Sequence, residues 1–275
     1  MSFPLPITPE NVGIMVALDL IQGGGVVYDP DATALFARMT VQPDATRKQL
    51  ISDRFVAGKA KSFWAKLDAI WVHAAHTSEA GRFNWLGNVY NCTPFNSPAF
   101  TTDRGFMGDG SSSYLSTGFN PATAVSPKFT QNSGCMGVRS NTDNAANGSL
   151  AGFFDTTLSV GTSINPRATG DAITGRLNSA ASTNFGVSSS SIGMFAMSRV
   201  DSANISAYRQ GSLVSSAASA STAPPSGAFR LGAITDASFR ACQFSMGWIS
   251  SGLTAQEHLD LFNWFEPYRT AVGVT

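Results

Sequence analysis

The chain has 275 residues with 18 basic and 18 acidic side chains, so its formal net charge is zero. Charged residues make up only 13% of the chain, which leaves no long-range field to attract nucleic acid or an anionic membrane, and we expect neither as a partner. A chain of this length can bury a full hydrophobic core, which argues against extended disorder. Its polar residues are mostly Ser, Thr, Asn and Gly. These suit exposed strands and tight turns, so we predict a mainly β protein.

Residues 1–27 are predicted to form an extended N-terminal arm. Three early prolines precede an apolar run at 13–21, and a triple glycine follows it. The apolar run is interrupted by Asp19, and no basic residue precedes Arg38, so we expect neither a signal peptide nor a membrane span. We therefore expect the chain to fold in a cytoplasm. The apolar run can serve for attachment or oligomerisation, or it can be an edge strand of its own domain.

Residues 28–92 are predicted to form a small helical subdomain. Asp31 can cap a helix that runs through Ala37, and the Pro-Asp pair that ends at Asp44 can begin a longer amphipathic helix. The aromatic-rich stretch that follows fits both a helical face and a buried strand. We expect helix through Asp68 and then a strand.

Residues 93–275 are predicted to form a β-sandwich closed by a C-terminal helix. Turn signals such as Asn147-Gly148 and Asn165-Pro166 separate short runs in which apolar and polar residues alternate. Turn signals that recur between short alternating runs are typical of sandwiches and barrels. Within this region, the run 205–214 predicts a β-hairpin over a glycine turn.

The two ends of this region carry the more specific signals. A glycine-rich turn runs into a short aromatic strand at 104–121, and two alternating strands precede a helix at 229–268. Thr254 and Glu257 have the spacing of a capping box at the start of that helix. Together these stretches resemble the opening and closing strands of laminin-G-like sandwiches. We therefore predict a concanavalin A-like (laminin-G-like) jelly roll with a helical N-terminal subdomain and a C-terminal helix.

The cysteines and tryptophans point to packing rather than chemistry. An odd number of widely spaced cysteines argues against a disulfide framework and against a thiolate metal site, so we expect all three to be reduced and structural. The five tryptophans lie in apolar runs, where core packing is expected of most of them. The cysteines are Cys92, Cys135 and Cys242.

One candidate metal site is His73, His76 and Glu79, which are three residues apart. A continuous helix would align the three side chains on one face, whereas a strand would point the two histidines to opposite faces. We favour ordinary hydrogen-bonded histidines and predict no metal or cofactor. The alternative is a Ca²⁺ ion held by oxygen atoms of turn residues.

The search for catalytic residues returns no candidate. Glycosidases of similar architecture usually carry two closely spaced glutamates, and the predicted sandwich between residues 80 and 256 contains none. The aspartates there sit singly in turn-like contexts, where Asp is expected for backbone reasons. Neither a nucleophile-elbow serine nor a phosphate-binding glycine loop is present. We therefore predict that the protein is not an enzyme. The aspartates are Asp143, Asp155, Asp171, Asp201 and Asp236.

A family resemblance covers nearly the whole chain after residue 28. The segments TVQPDATRKQLI, WAKLDAIWVHAAH and NSPAFTTDRGFMGDGSSSYLSTGFNP, all within residues 29–121, resemble a module in virion proteins of tailed bacteriophages, where a helical segment precedes a laminin-G-like sandwich. The resemblance implies a structural tail fibre, spike or head-decoration protein that is assembled in the host cytoplasm and located on the virion. It transfers no catalytic residues.

Three functions follow as expectations. The first is a fibre or spike component displayed as a homo-oligomer, such as a trimer, that contacts other virion proteins and binds a host-surface polysaccharide or receptor. The second is a decoration or cement protein of the capsid or tail without a ligand. The third is a glycan depolymerase, which would need a carboxylate pair.

Overall fold

The computed structural model describes residues 25–274. These residues form two antiparallel sheets stacked face to face, with a layer of helices on the outer side of the larger sheet. The prediction of a mainly β, concanavalin A-like sandwich with few helices is confirmed. The predicted N-terminal arm lies outside the described residues except for its last three positions, 25–27.

Residues 25–274 contain four α-helices and two short 3₁₀ helices. The α-helices are α1 (Pro30–Phe36), α2 (Ala45–Lys59), α3 (Ser62–Ala65) and α4 (Ala255–Ala271), and the 3₁₀ helices cover Ala80–Arg82 and Thr169–Asp171. No helix between residues 25 and 274 is long and apolar enough to cross a bilayer.

The described part of the chain also contains seventeen strands. They are β1 (Leu67–Val72), β2 (Thr93–Phe95), β3 (Ala99–Thr101), β4 (Gly105–Met107), β5 (Tyr114–Ser116), β6 (Gly134–Ser140), β7 (Ala151–Asp155), β8 (Val160–Asn165), β9 (Ala172–Ser179), β10 (Thr183–Val187), β11 (Gly193–Arg199), β12 (Asn204–Arg209), β13 (Ser212–Ala218), β14 (Arg230–Leu231), β15 (Ala233–Thr235), β16 (Ser238–Phe239) and β17 (Gln243–Ser250).

The strands form two main sheets and a hairpin. Sheet A has eight strands in the order β13-β12-β11-β6-β17-β4-β3, with β1 paired to β17, and sheet B has seven strands in the order β10-β9-β8-β7-β14-β5-β2. Strands β15 and β16 pair with each other. Neighbours such as β14 and β5 are far apart in sequence, which is usual for a jelly roll.

The central strands of sheet A are buried on both faces. Val138 and Phe195 point to the core between the sheets, whereas Met194 and Trp248 point to the core beneath the helices. A strand with two buried faces needs apolar or small residues at almost every position. Strands β6 and β11 are buried along their whole length, which explains why most of their residues are apolar or small.

The predicted helical subdomain contributes both helices and a strand. Its strand β1 pairs with β17, with Trp71 opposite Gly247. The last helix, α4, packs against α2, and Trp85 meets Trp264 edge-on with ring centroids 6.0 Å apart. Residues 28–92 and the C-terminal helix therefore share one core on the outer side of sheet A.

Two details of the predicted helices are wrong. Asp29, not Asp31, caps α1, and its side chain accepts a hydrogen bond from the backbone N–H of Asp31. Pro30 takes the first helical position, where its fixed φ fits and its missing N–H costs nothing. The aromatic-rich stretch turns into a strand at Leu67, one residue before the predicted end of the helix, because pairing with β17 extends to that residue.

Other local predictions are confirmed. The capping box is present, because the Thr254 side chain accepts from the Glu257 backbone and the Glu257 side chain accepts from the Thr254 backbone. The predicted hairpin is β12 and β13, which turn at Gly211 with a left-handed φ of 76°. A residue with a side chain would be strained at this φ.

Candidate functional site

The helices cover the outer side of sheet A, and in the described part of the chain no helix covers the outer side of sheet B. A groove of about 770 Å³ lies there. We call it the outer-face groove. It is lined by Phe153, Phe154, Asp155, Thr156, Thr157, Leu158, Ser226, Arg230, Thr235, Asp236 and Ala237. These residues come from β7 and the turn after it, from the segment leading into β14, and from the β15–β16 turn.

Asp155 builds one wall of the groove. Its Oδ1 accepts hydrogen bonds from the backbone N–H groups of Thr157 and Leu158, both at 2.9 Å. Its Oδ2 accepts from the N–H of Ser226 at 3.1 Å, which joins the β7–β8 turn to the segment before β14. The N–H of Leu158 is the main cause that lowers the pKa of this carboxyl, because a hydrogen bond to the charged form favours it. The predicted backbone role of this aspartate is confirmed.

Arg230 lines the groove from strand β14. Leu231 points into the core, so the alternation of the strand turns Arg230 outward. Its guanidinium carbon lies 4.6 Å from the centroid of the Tyr114 ring and 5.6 Å from that of Phe153. Contact with two rings restricts the guanidinium, and each such contact is itself favourable.

The aromatic contact continues to the edge of sheet B. The rings of Phe95 and Tyr114 stack with centroids 4.8 Å apart and planes 3° from parallel. These two residues are direct cross-strand partners on β2 and β5, a placement in which aromatic pairs stabilise a sheet. Phe95 remains 43% exposed, so the row ends in an aromatic face that is open to solvent.

Asp236 forms an ion pair with Arg230 across the groove. The Arg230 Nη1 atom donates to Asp236 Oδ1 at 2.7 Å. The Asp236 side chain is 87% exposed, while that of Arg230 is 15% exposed. Among residues 25–274 the other guanidinium nitrogens of Arg230 have no protein acceptor. The arginine therefore has free donors directed at solvent from a fixed position.

A second arginine lies on the far side of β7. The guanidinium carbon of Arg176 is 4.6 Å from the centroid of the Phe154 ring, and its Nη1 donates to the carbonyl of Ala180 at 2.7 Å. Its Nε is buried without a partner among the described residues, and burial lowers the pKa of this guanidinium. Gly161 makes room beneath, since a Cβ there would lie 2.8 Å from the Phe154 ring.

The chemistry of the groove suits a hydroxyl-rich ligand. It offers guanidinium donors, carboxylate acceptors, threonine and serine hydroxyls, and two phenylalanine side chains. A few polar groups beside apolar surface are the usual composition of a small-molecule site. Between residues 25 and 274, no three His, Cys, Asp or Glu side chains lie close enough together to hold a metal ion.

The predicted metal candidates lie away from this groove, and each has its own protein partner. The His73 Nδ1 atom lies 2.6 Å from the carbonyl of Gly81, and the His76 Nε2 atom lies 2.9 Å from the carbonyl of Val41. The Glu79 carboxylate accepts two hydrogen bonds from Thr40 at 2.9 and 2.7 Å. The structure thus does not bring the three side chains together around a common point.

Arg230 and the aromatic residues that it contacts are not among the candidates named from the sequence. Tyr114 and Arg230 lie within the two stretches that suggested the sandwich, but neither was singled out as a functional residue. A signal was present: each occupies an outward position beside an inward leucine in a short strand. Strands β5 and β14 pair with Ser116 opposite Arg230, and only this long-range pairing places Arg230 diagonally against Tyr114.

Comparisons with known proteins find solved structures of the same fold but match no protein family. No protein-family model matches the chain, and no curated protein matches its sequence. Among solved structures, a Trypanosoma rangeli sialidase in complex with sialic acid has a TM-score of 0.54 at 12% identity, covering 74% of this chain and 34% of the sialidase. A second complex of that sialidase, with 2,3-difluoro-KDN, has a TM-score of 0.54 at 13% identity, covering 82% and 40%.

A further match is domain 4 of AbnA, a GH43 extracellular arabinanase from Geobacillus stearothermophilus, in complex with arabinotriose. Its TM-score is 0.48 at 15% identity, and the match covers 71% of this chain and 98% of that domain. The chain spans about a third of the length of the sialidase in the first complex. At such low identity, these likenesses establish the fold alone.

The prediction that the protein is not an enzyme is wrong. It rested on the missing glutamate pair, yet solved structures with this fold include a sialidase, at TM-scores of 0.54. A fold shared with glycoside-processing enzymes gives no ground for excluding catalysis, since function resides in the site and not in the fold.

Proposed function

We propose that this chain is a carbohydrate-binding β-sandwich protein and that the outer-face groove holds the sugar. The observation that carries the proposal is Arg230, which contacts two aromatic rings in an open groove on the sheet face that the helices leave uncovered. Sugars present hydroxyl groups around the ring and C–H groups on its faces. Fixed polar groups beside aromatic surface match both features.

The fold comparison supports a role with glycans. The sialidase structures with TM-scores above 0.5 include complexes with sialic acid and with 2,3-difluoro-KDN. These ligands belong to those proteins, and the comparison supplies only a scaffold that occurs in sugar-processing chains. The specific support therefore comes from the groove itself.

The setting we propose is the surface of a phage particle, where the chain contacts other virion proteins as a homo-oligomer. This part rests on the resemblance of residues 29–121 to virion modules. An open, shallow site gives modest affinity for one sugar chain, because much of the ligand stays in solvent. Repetition of the site on a particle would raise the overall affinity through effective concentration.

A glycan array probed with the full chain tests carbohydrate binding. We expect enrichment for a subset of polysaccharides, and at least about a tenfold loss of affinity in R230A, because hydrogen bonds to a charged group contribute about 1.5–3 kcal/mol each. R209A is the matched control, since Arg209 also lies over an aromatic ring, that of Phe195, but outside the groove. Thermal melts establish that both variants are folded. Absence of enrichment for every glycan would overturn the proposal.

A second candidate function is glycan hydrolysis. It is favoured by the sialidase neighbours and by two carboxylates in the groove, those of Asp155 and Asp236. Incubation of the protein with each glycan that it binds would release new reducing ends, and D236N would slow that release. A constant reducing-end count over long incubation would leave binding as the function.

A further inference from the structure

We propose that the outer-face groove selects glycans with an anionic substituent, such as the carboxylate of a uronic or sialic acid, and that this substituent displaces Asp236 from Arg230. The inference rests on the proposed function, since it names the ligand class of the same groove. It follows from three features: the availability of the guanidinium, the exposure of its present partner, and the charge of the remaining lining.

The guanidinium of Arg230 is prepared for a carboxylate. It lies over the rings of Tyr114 and Phe153, and these contacts restrict the side chain, so less freedom is lost when a ligand binds. A guanidinium presents pairs of parallel N–H donors whose spacing matches the two oxygens of a carboxylate. Among the described residues, Asp236 is the one acceptor of a hydrogen bond from the Arg230 guanidinium, and it engages Nη1. The other guanidinium donors are left for the second oxygen of a ligand carboxylate.

Asp236 marks where an anion fits and is easily replaced. Its carboxylate oxygen lies 2.7 Å from Nη1, and its side chain is 87% exposed on the β15–β16 turn. An exposed ion pair contributes only about 0–1 kcal/mol. A ligand carboxylate that makes two hydrogen bonds to the same guanidinium would therefore stabilise the complex by more than the displaced ion pair contributes.

The remaining lining carries little negative charge toward the ligand. The oxygens of Asp155 accept three backbone N–H groups of the wall, which compensate its charge locally. Arg230 and Asp236 are the other charged residues of the lining. With Asp236 displaced, Arg230 faces the ligand against one aspartate that is already hydrogen-bonded.

A neutral glycan would use the groove differently. Its hydroxyl groups could donate to Asp236 and accept from Arg230, so the ion pair would stay intact and both residues would support binding. The two modes predict opposite effects of removing the Asp236 charge. They also differ in salt dependence, because attraction between an anionic ligand and an arginine is screened by salt.

The test measures binding of the full chain to acidic oligosaccharides and to their carboxyl-reduced counterparts, which have the same backbone and no charge. The probes are oligogalacturonate, hyaluronan oligosaccharide and oligosialic acid, with a neutral glucan oligosaccharide for comparison, all assayed by calorimetry at low and high salt. We expect at least one acidic probe to bind at least about tenfold more tightly than its reduced form. We expect high salt to reduce that preference, and R230Q to abolish it.

Asp236 supplies the sharper variant. D236N removes the competing charge and is expected to raise the affinity for the preferred acidic probe about threefold, in line with the small contribution of an exposed pair. D201N is the matched control, because Asp201 is also an exposed turn aspartate that accepts from neighbouring backbone N–H groups, outside the groove.

The outcomes separate this inference from the proposed function. Equal affinity for acidic and reduced forms, a preference for the neutral glucan, or weaker acidic binding in D236N would overturn the anionic selectivity and leave carbohydrate binding standing. Failure of every acidic, reduced and neutral probe, together with a blank glycan array, would overturn both. Tighter binding of an acidic probe than of its reduced form, loss of that preference at high salt, and tighter acidic binding in D236N would support both the anionic selectivity and carbohydrate binding.

Discussion

Two of the three histidines of this chain are buried, and we expect them to make the fold sensitive to mild acid. His73 is 0% exposed and His258 is 2% exposed. Burial lowers the pKa of His73 to about 4 and that of His258 to about 3, against 6.5 for a solvated histidine. Both rings are therefore neutral in the folded protein at pH 5, whereas the unfolded chain takes up protons below pH 6.5.

The surroundings explain why the charged forms are disfavoured. The Nδ1–H of His73 donates to the carbonyl of Gly81, and its ring meets the rings of Phe106 and Phe244 edge-on. The His258 ring is stacked on Tyr208 with centroids 3.7 Å apart. Each histidine has an Nε2 atom without a partner among residues 25–274. A proton added there would be a buried charge without a hydrogen-bond acceptor.

The sign and size of the effect follow from linkage. Because the folded pKa values lie below the unfolded value, the stability is fully present above pH 6.5 and is lost as the pH falls toward 4 and then 3. Between pH 8 and pH 5 each histidine removes about 2 kcal/mol, so the pair removes about 4 kcal/mol. A domain has only about 5–15 kcal/mol to lose, and the carboxyls with lowered pKa values act mainly at more acidic pH.

Urea unfolding followed by tryptophan fluorescence at several pH values between 8 and 5 measures this loss. H258F keeps a ring against Tyr208 and removes the titrating nitrogen, so we expect it to lose about 2 kcal/mol less than the unaltered protein over the same interval. H76Q replaces the third, partly buried histidine and controls for the effect of histidine replacement itself. Stability that is constant from pH 8 to 5, or an H258F variant with the full loss, would refute the reasoning.

Three further predictions concern local features. T254A should lower the free energy of unfolding by about 1 kcal/mol, measured by thermal melting, because it removes the side chain that accepts from Glu257; an unchanged melting temperature would contradict the role of the cap. G137A should prevent stable folding, because the added Cβ would lie 1.9 Å from the Trp248 ring. The control G87A should fold normally, because a Cβ at that position would meet no atom within 4 Å. Circular dichroism of the two variants measures the difference. None of the three cysteines should react with a thiol reagent in the native protein and all three should react in urea, because burial raises their pKa values and shields them; rapid labelling of a native thiol would show that one is accessible.

The choice of fold class and the local caps could be predicted because they depend on composition and short-range pattern. Few charges and many small polar residues favour strands and turns. The spacing of Thr254 and Glu257 defines a capping box within a single turn, and the hairpin at 205–214 needs only alternation and a glycine. The division of the N-terminal region was harder, since aromatic residues such as those of β1 fit a helix and a strand alike.

The candidate site depended on tertiary structure. Tyr114 and Arg230 are more than a hundred residues apart in the chain, and their contact exists because β5 pairs with β14. Local sequence predicts that each side chain points away from an inward leucine, but not which strands become neighbours or which sheet face the helices cover. Those choices are made by the summed packing of long-range contacts, so the sequence by itself determined the sandwich, and only the folded arrangement decided where the groove lies.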